Sequence, residues 1–128
     1  MRFGIMAVPF AASLAALVLT AGAAPAAAAV GAFAYDEATG KYGASWDQTN
    51  EKQAEEAALK GCASDKCKIV FRTGAGQCGA IAATANGKIW GGARREKREE
   101  AEKAALDGCG KRAGGAGQCK VRTIQCNK

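Results

Sequence analysis

Ala54-Glu55-Glu56-Ala57-Ala58-Leu59-Lys60-Gly61-Cys62 returns as Ala101-Glu102-Lys103-Ala104-Ala105-Leu106-Asp107-Gly108-Cys109. In each stretch the alanines at helical spacing share one face with the cysteine: Ala54, Ala57, Ala58 and Cys62, then Ala101, Ala104, Ala105 and Cys109. A stripe of such small side chains lets a helix lie close against a sheet. Upstream, Gly31-Ala32-Phe33-Ala34 recurs as Gly79-Ala80-Ile81-Ala82, so the whole unit is duplicated and not the helix alone. A unit this poor in large apolar side chains needs its twin to bury its face.

Around the helices, 31–35 and 41–46 read as strands flanking the turn residues 36–40. In the second copy Asn86-Gly87 is a type I′ hairpin signal with arms 80–85 and 88–93. Tyr42, Ala44 and Trp46 alternate with Gly43 and Ser45, as one half-buried sheet face requires. Asn50 caps the first helix, with Gln53 placed to reach back to it. The second helix starts near Glu96 without a Ser, Thr, Asp or Asn cap. Gly61 and Gly108 either end the helices or permit close packing. The last strands are 66–72 and 120–126, with Ile69, Phe71 and Val121 inward. The expected fold is α+β: two pseudo-symmetric strand-strand-helix-strand repeats, 30–78 and 79–128, forming one small disulfide-stapled domain. Spacing leaves open whether the strands make one sheet or two.

Residues 1–29 read as a removable signal peptide. Met1-Arg2 precedes an apolar run from Ile5 to Leu19, and Ala27 and Ala29 fit the small-x-small cleavage rule, placing the mature start at Val30. The mature chain is expected to be exported, to the periplasm or the extracellular space, without stable membrane insertion. It contains no proline, methionine or histidine. Alanine and glycine fill much of it, so its core is thin and calls for staples.

Six cysteines in a short exported chain supply them. A zinc site is disfavoured, because there is no histidine and no C-x-x-C pair. The favoured pairing joins Cys62 to Cys67 and Cys109 to Cys119, each tying a helix end to the next strand, and Cys78 to Cys126 between the copies. Other symmetric pairings are compatible with the same spacing.

The order of these elements resembles a bacterial exported family catalogued as domain of unknown function 4189. The residues that carry the likeness are Gly31-Ala32, Tyr42-Gly43-Ala44-Ser45-Trp46, the helix from Ala54 to Cys62, and Cys67-Lys68-Ile69-Val70. The second copy departs from the pattern, with Arg94 in place of Trp46 and a glycine-rich insertion at 114–117. The resemblance implies an envelope or secreted protein with no established activity, and it transfers no catalytic residue.

Several chemistries are weakly supported. Gly74-Ala75-Gly76-Gln77-Cys78-Gly79 matches G-x-G-x-x-G, but a hairpin follows where dinucleotide binding needs a helix N-terminus, so no cofactor is expected. Without histidine there is no conventional Ser-His or Cys-His pair. Asp36 or Glu37 with Asp47 is the remaining carboxylate pairing, and turn or helix-entry roles explain those residues better. No enzyme is expected, and no metal.

Charge is the feature left over. Residues 30–78 carry six Lys and Arg against seven Asp and Glu, net −1, whereas residues 79–128 carry eleven against five, net +6. Arg94, Arg95, Lys97 and Arg98 gather at the start of the second helix, the end where cations are unfavourable, so they form the candidate binding face. The expected role is an envelope or secreted interaction module that binds an anionic surface or an acidic protein. Export and the shortage of stacking aromatics argue against nucleic acid. Trp46 and Trp90 read as core or inter-copy contacts. The alternatives are an inhibitor or immunity protein that blocks a secreted hydrolase through loop 74–78 or 113–118, or a secreted effector.

Overall fold

The computed structural model describes residues 29–128. The signal peptide expected over 1–29 lies outside them, except for its last residue. Six strands, two α-helices and one short 3-10 helix follow in order: β1 (Val30–Tyr35), β2 (Tyr42–Gln48), α1 (Glu51–Cys62), β3 (Lys68–Thr73), β4 (Cys78–Thr84), β5 (Trp90–Arg95), α2 (Arg98–Ala113), the 3-10 turn Ala116–Gln118, and β6 (Cys119–Cys126). Each copy is therefore strand-strand-helix-strand. The strands form two antiparallel three-stranded sheets, ordered β2-β1-β3 and β5-β4-β6.

Alternation along the central strands sets the layers. On β1, Ala32 and Ala34 pack with Ala54, Ala58 and Cys62 of α1, whereas Phe33 and Tyr35 meet Ile81 and Ala83 of β4. Likewise Ala80 and Ala82 pack with Ala101, Ala105 and Cys109 of α2. The result is a helix-sheet-sheet-helix sandwich, with alanine at both helix-sheet contacts and the aromatic core between the sheets.

The helix-sheet contacts are close because a strand glycine lies against the helix backbone. A Cβ on Gly43 would fall 2.1 Å from the Ala58 carbonyl oxygen, and one on Gly91 would fall 2.4 Å from the Cys109 nitrogen. The helix glycines Gly61 and Gly108 do not end their helices. They lie opposite those strand glycines, and α1 ends instead at Ala63 in left-handed conformation (φ 57°) and α2 at Gly114 (φ 81°). Ser45 adds a polar tie, its hydroxyl accepting from Ala32 N–H at 3.1 Å and donating to the Ala54 carbonyl at 2.6 Å.

Several local expectations change in the tertiary context. The β2 face that packs on the helix is Gly43 and Ser45. Tyr42 and Trp46 point the other way on an edge strand and stay 39% and 44% exposed. Ile69 and Phe71 are both partly buried but on opposite faces, because Val70 bulges between the pairs Phe33–Phe71 and Ala34–Ile69. Arg122 bulges at the matching place on β6, between the pairs Ile81–Thr123 and Ala82–Val121. The second hairpin does not close as a type I′ turn, which needs positive φ at both central residues. Only Gly87 is left-handed, and Thr84 N–H bonds to the Ile89 carbonyl around a four-residue loop. Asn86 instead turns its side-chain oxygen to Lys88 N–H and the Thr84 hydroxyl. The two hairpin tips meet, Gly87 against Gly40, and the Tyr35 hydroxyl donates to the Gly87 carbonyl across the copies.

Asn50 caps α1 through Oδ1 to Gln53 N–H at 2.9 Å, but Gln53 turns its own side chain to the Thr49 hydroxyl. The α2 start is Arg98, with Lys97 at the cap position and no side-chain cap. The bridges are Cys62–Cys67, Cys109–Cys119 and Cys78–Cys126. Cys78 is the first residue of β4 and stands directly opposite Cys126. That third bridge therefore links adjacent strands inside the second sheet and does not join the copies.

Candidate functional site

β3 and β5 are edge strands of different sheets, and each has one strand neighbour. Between these two edges opens a cleft of about 650 Å³. Its floor is Phe71 and Trp90, and its rim holds Arg72 from β3, Arg94 and Arg95 from β5, and Arg112 from the last turn of α2. The aromatic floor is locked in place. Phe71 stacks on Phe33 with centroids 4.5 Å apart, and Trp90 stacks on Tyr35 at 5.1 Å and donates Nε1–H to Glu37 Oε1 at 3.2 Å.

Arg72 is neutralised by Glu55 of α1, through Nε to Oε1 at 2.6 Å and a second, closer contact. That is the one ion pair among the described residues. The other three arginines donate to backbone carbonyls: Arg94 to Arg72 at 3.2 Å, Arg95 to Arg94 at 2.7 Å and Arg112 to Trp90 at 3.4 Å. Among the described residues they form no ion pair with a carboxylate, although Glu51 lies on the cleft wall. Planar guanidiniums of this kind suit carboxylates and phosphates, which they bind in pairs of hydrogen bonds.

The candidate cluster read from the sequence is split by the fold. All four are exposed, but Arg94 and Arg95 line the cleft, whereas Lys97 and Arg98 at the N-terminus of α2 do not. Arg72 and Arg112 join from the first copy and from the far end of α2, and sequence spacing connects neither to position 94. Arg112 stands in the last turn of α2, where a cation favours the helix dipole, so its place in the sequence does not single it out as a site residue.

The other candidates separate in the same way. Trp90 is an inter-copy contact, whereas Trp46 is exposed on the opposite edge strand. Loop 74–77 leads into strand β4, and its Gly76 N–H and Gln77 carbonyl are bound by Lys128 and Asn127. Loop 113–118 contains the 3-10 turn, and nothing lies within 4 Å of where a Cβ on Gly114, Gly115 or Gly117 would be. Asp36 and Asp47 are not a carboxylate pair. They sit at opposite ends of the β2 hairpin, about 15–20 Å apart along the strand, beyond the ~10 Å that glycoside hydrolysis tolerates. Asp36 accepts from Ala38 N–H and from the hydroxyls of Thr39 and Ser64, and Asp47 accepts from Lys128 N–H. Among the described residues no group of three or more His, Cys, Asp or Glu is placed to hold a metal ion.

Fold and cleft together define a class: a duplicated α+β domain, stapled by disulfides, with an arginine-rimmed opening between its two sheets. The chain belongs to the family described as Domain of unknown function (DUF4189), whose profile matches residues 30–126. It is similar to a solved structure, the NMR structure of Rv1813c from Mycobacterium tuberculosis, at 26% identity with a TM-score of 0.57, covering 99% of this chain and 95% of that one. Comparison with curated proteins gives no match. No helix among the described residues is long and apolar enough to cross a membrane.

Proposed function

We propose that this protein is an exported, non-catalytic binding module that engages an anionic envelope component or an acidic protein through the cleft between β3 and β5. The observation that carries the reading is the charge of Arg94, Arg95 and Arg112, which gather on one rim over an aromatic floor without a carboxylate partner. Like charges gathered side by side repel one another, and a bound anion relieves that repulsion. The three disulfides are of the kind that persists in oxidising compartments, which fits export.

The test is capture of envelope and medium components by the purified oxidised protein. Bound material should be released on raising salt from about 0.1 M to 1 M, as the Debye length falls from about 10 Å to 3 Å. Arg94→Gln with Arg95→Gln and Arg112→Gln should abolish capture. Lys97→Gln with Arg98→Gln, outside the cleft, should leave most of it. Capture retained by the triple variant would sink the assignment of the cleft.

A further inference from the structure

From the backbone of β5 we infer that the occupant of this cleft is an acidic polypeptide segment that adds to β5 as an extended strand. The inference rests on the anion-binding reading above and specifies its ligand. Along an antiparallel strand pair, hydrogen-bonded and non-hydrogen-bonded positions alternate. Thr84 N–H donates to the Ile89 carbonyl at the hairpin end, which puts 84–89 at a hydrogen-bonding position of the ladder. Counting along the ladder, 82–91 and 80–93 are then bonded pairs, and Trp90, Gly92 and Arg94 turn their N–H and C=O away from β4. The structure agrees with that count, because the carbonyls of Trp90 and Arg94 accept from the side chains of Arg112 and Arg95 and not from β4. Gly92, between them, presents its donor and acceptor to the same open edge.

Side-chain direction then specifies what kind of strand fits. Gly91 and Ala93 face α2, so Arg95 in the same alternation does too, together with Arg112 on that helix. Gly92 and Arg94 face the first sheet, where a Cβ on Gly92 would reach Phe71 at 2.6 Å and where Arg94 meets Arg72. A strand laid beside β5 sends alternate side chains to these two faces. It finds guanidiniums on both, so consecutive acidic residues, and not only every second one, are answered by a positive charge. A flat anionic bilayer does not enter a concave opening between two sheet edges. A sulfated or phosphorylated polymer lacks the repeating N–H and C=O that would pair with Gly92.

Arginines bonded to edge carbonyls also have a plainer use, since charge on an edge strand blocks pairing with other chains. The experiment separates the two. The oxidised protein, labelled with ¹⁵N, is titrated with a capped peptide of about five consecutive glutamates, enough to span the ~13 Å from Trp90 to Arg94. The expected result is saturable binding with the Gly92 amide shifted and protected from hydrogen exchange. Methylating the central backbone nitrogens of the peptide should weaken binding about fivefold to tenfold, the worth of roughly one backbone hydrogen bond, without altering charge or protein. Equal binding of the methylated peptide, or an unprotected Gly92 amide, overturns strand addition while leaving an anion-binding cleft in place. So does tighter binding of a sulfated oligosaccharide or of phosphatidylglycerol vesicles. Unchanged peptide binding by the triple Arg→Gln variant overturns the cleft itself.

Discussion

Asp36 is 1% exposed, yet it holds its charge at low pH. The hydroxyls of Thr39 and Ser64 hold its pKa at about 2, against the burial that would raise it, with Ala38 and Thr39 N–H adding to the same effect. A folded pKa below the unfolded one means that this group stabilises the fold above about pH 4 and that its contribution is lost as pH falls towards 2. Asp36→Asn should therefore lower the melting temperature at pH 7, and the gap between variant and wild type should narrow as thermal melts are taken down to pH 2. A constant gap would assign the effect to shape and not to charge. The sequence reads Asp36 as a turn residue, and Thr39 is within reach of that reading. Ser64 is not, because the contact depends on α1 folding back over the hairpin to bring position 64 beside position 36.

At the scale of elements, the strand-helix contacts have opposite demands on their two glycines. Gly43 lies on the Ala58 carbonyl, so Gly43→Ala should overpack that contact and cost about 3 kcal/mol. On Gly61 the nearest atom to an added Cβ is the Gly43 Cα at 3.8 Å, an ordinary contact, so Gly61→Ala should stabilise α1 by about 0.5–1 kcal/mol through helix propensity. Urea unfolding of the two variants should show these opposite signs, and a shared sign would mean that the helix stands further from β2. Helix existence, the Asn50 cap and the duplicated Ala stripe were legible because they are local patterns of period 3.6. The bulges at Val70 and Arg122 were not, since a bulge exists only relative to the register of a partner strand. Position alone does not show which side of Cys78 the second copy begins. Pairing of β4 with β6 decides that, and it turns the expected inter-copy bridge into one within a sheet.

At the scale of the whole molecule, the copies are held together by aromatic packing between the sheets and by a clasp at the C-terminus. Asn127 is 7% exposed, and its side chain accepts from Asp47 N–H and donates to the Thr73 hydroxyl and the Gly74 carbonyl. All three partners belong to the first copy or the loop that follows it. Asn127→Ala strands these groups and should cost about 1–3 kcal/mol, read by denaturant unfolding, with faster hydrogen exchange at Asp47 than elsewhere in β2. Unaltered exchange at Asp47 would show that the clasp is not what closes this end of the sandwich. Duplication, fold class and the excess of positive charge in the second copy were determined by the sequence alone, because each is written in neighbouring residues or in simple composition. The stacking of two separate sheets, the division of the cluster at 94–98, and the meeting of Arg72, Arg94, Arg95 and Arg112 at one cleft were decided only by tertiary structure. A side chain's neighbours across a sandwich follow from strand order and register, and those are set by the burial of Phe33, Tyr35, Ile81 and Phe71 together, not by spacing along the chain.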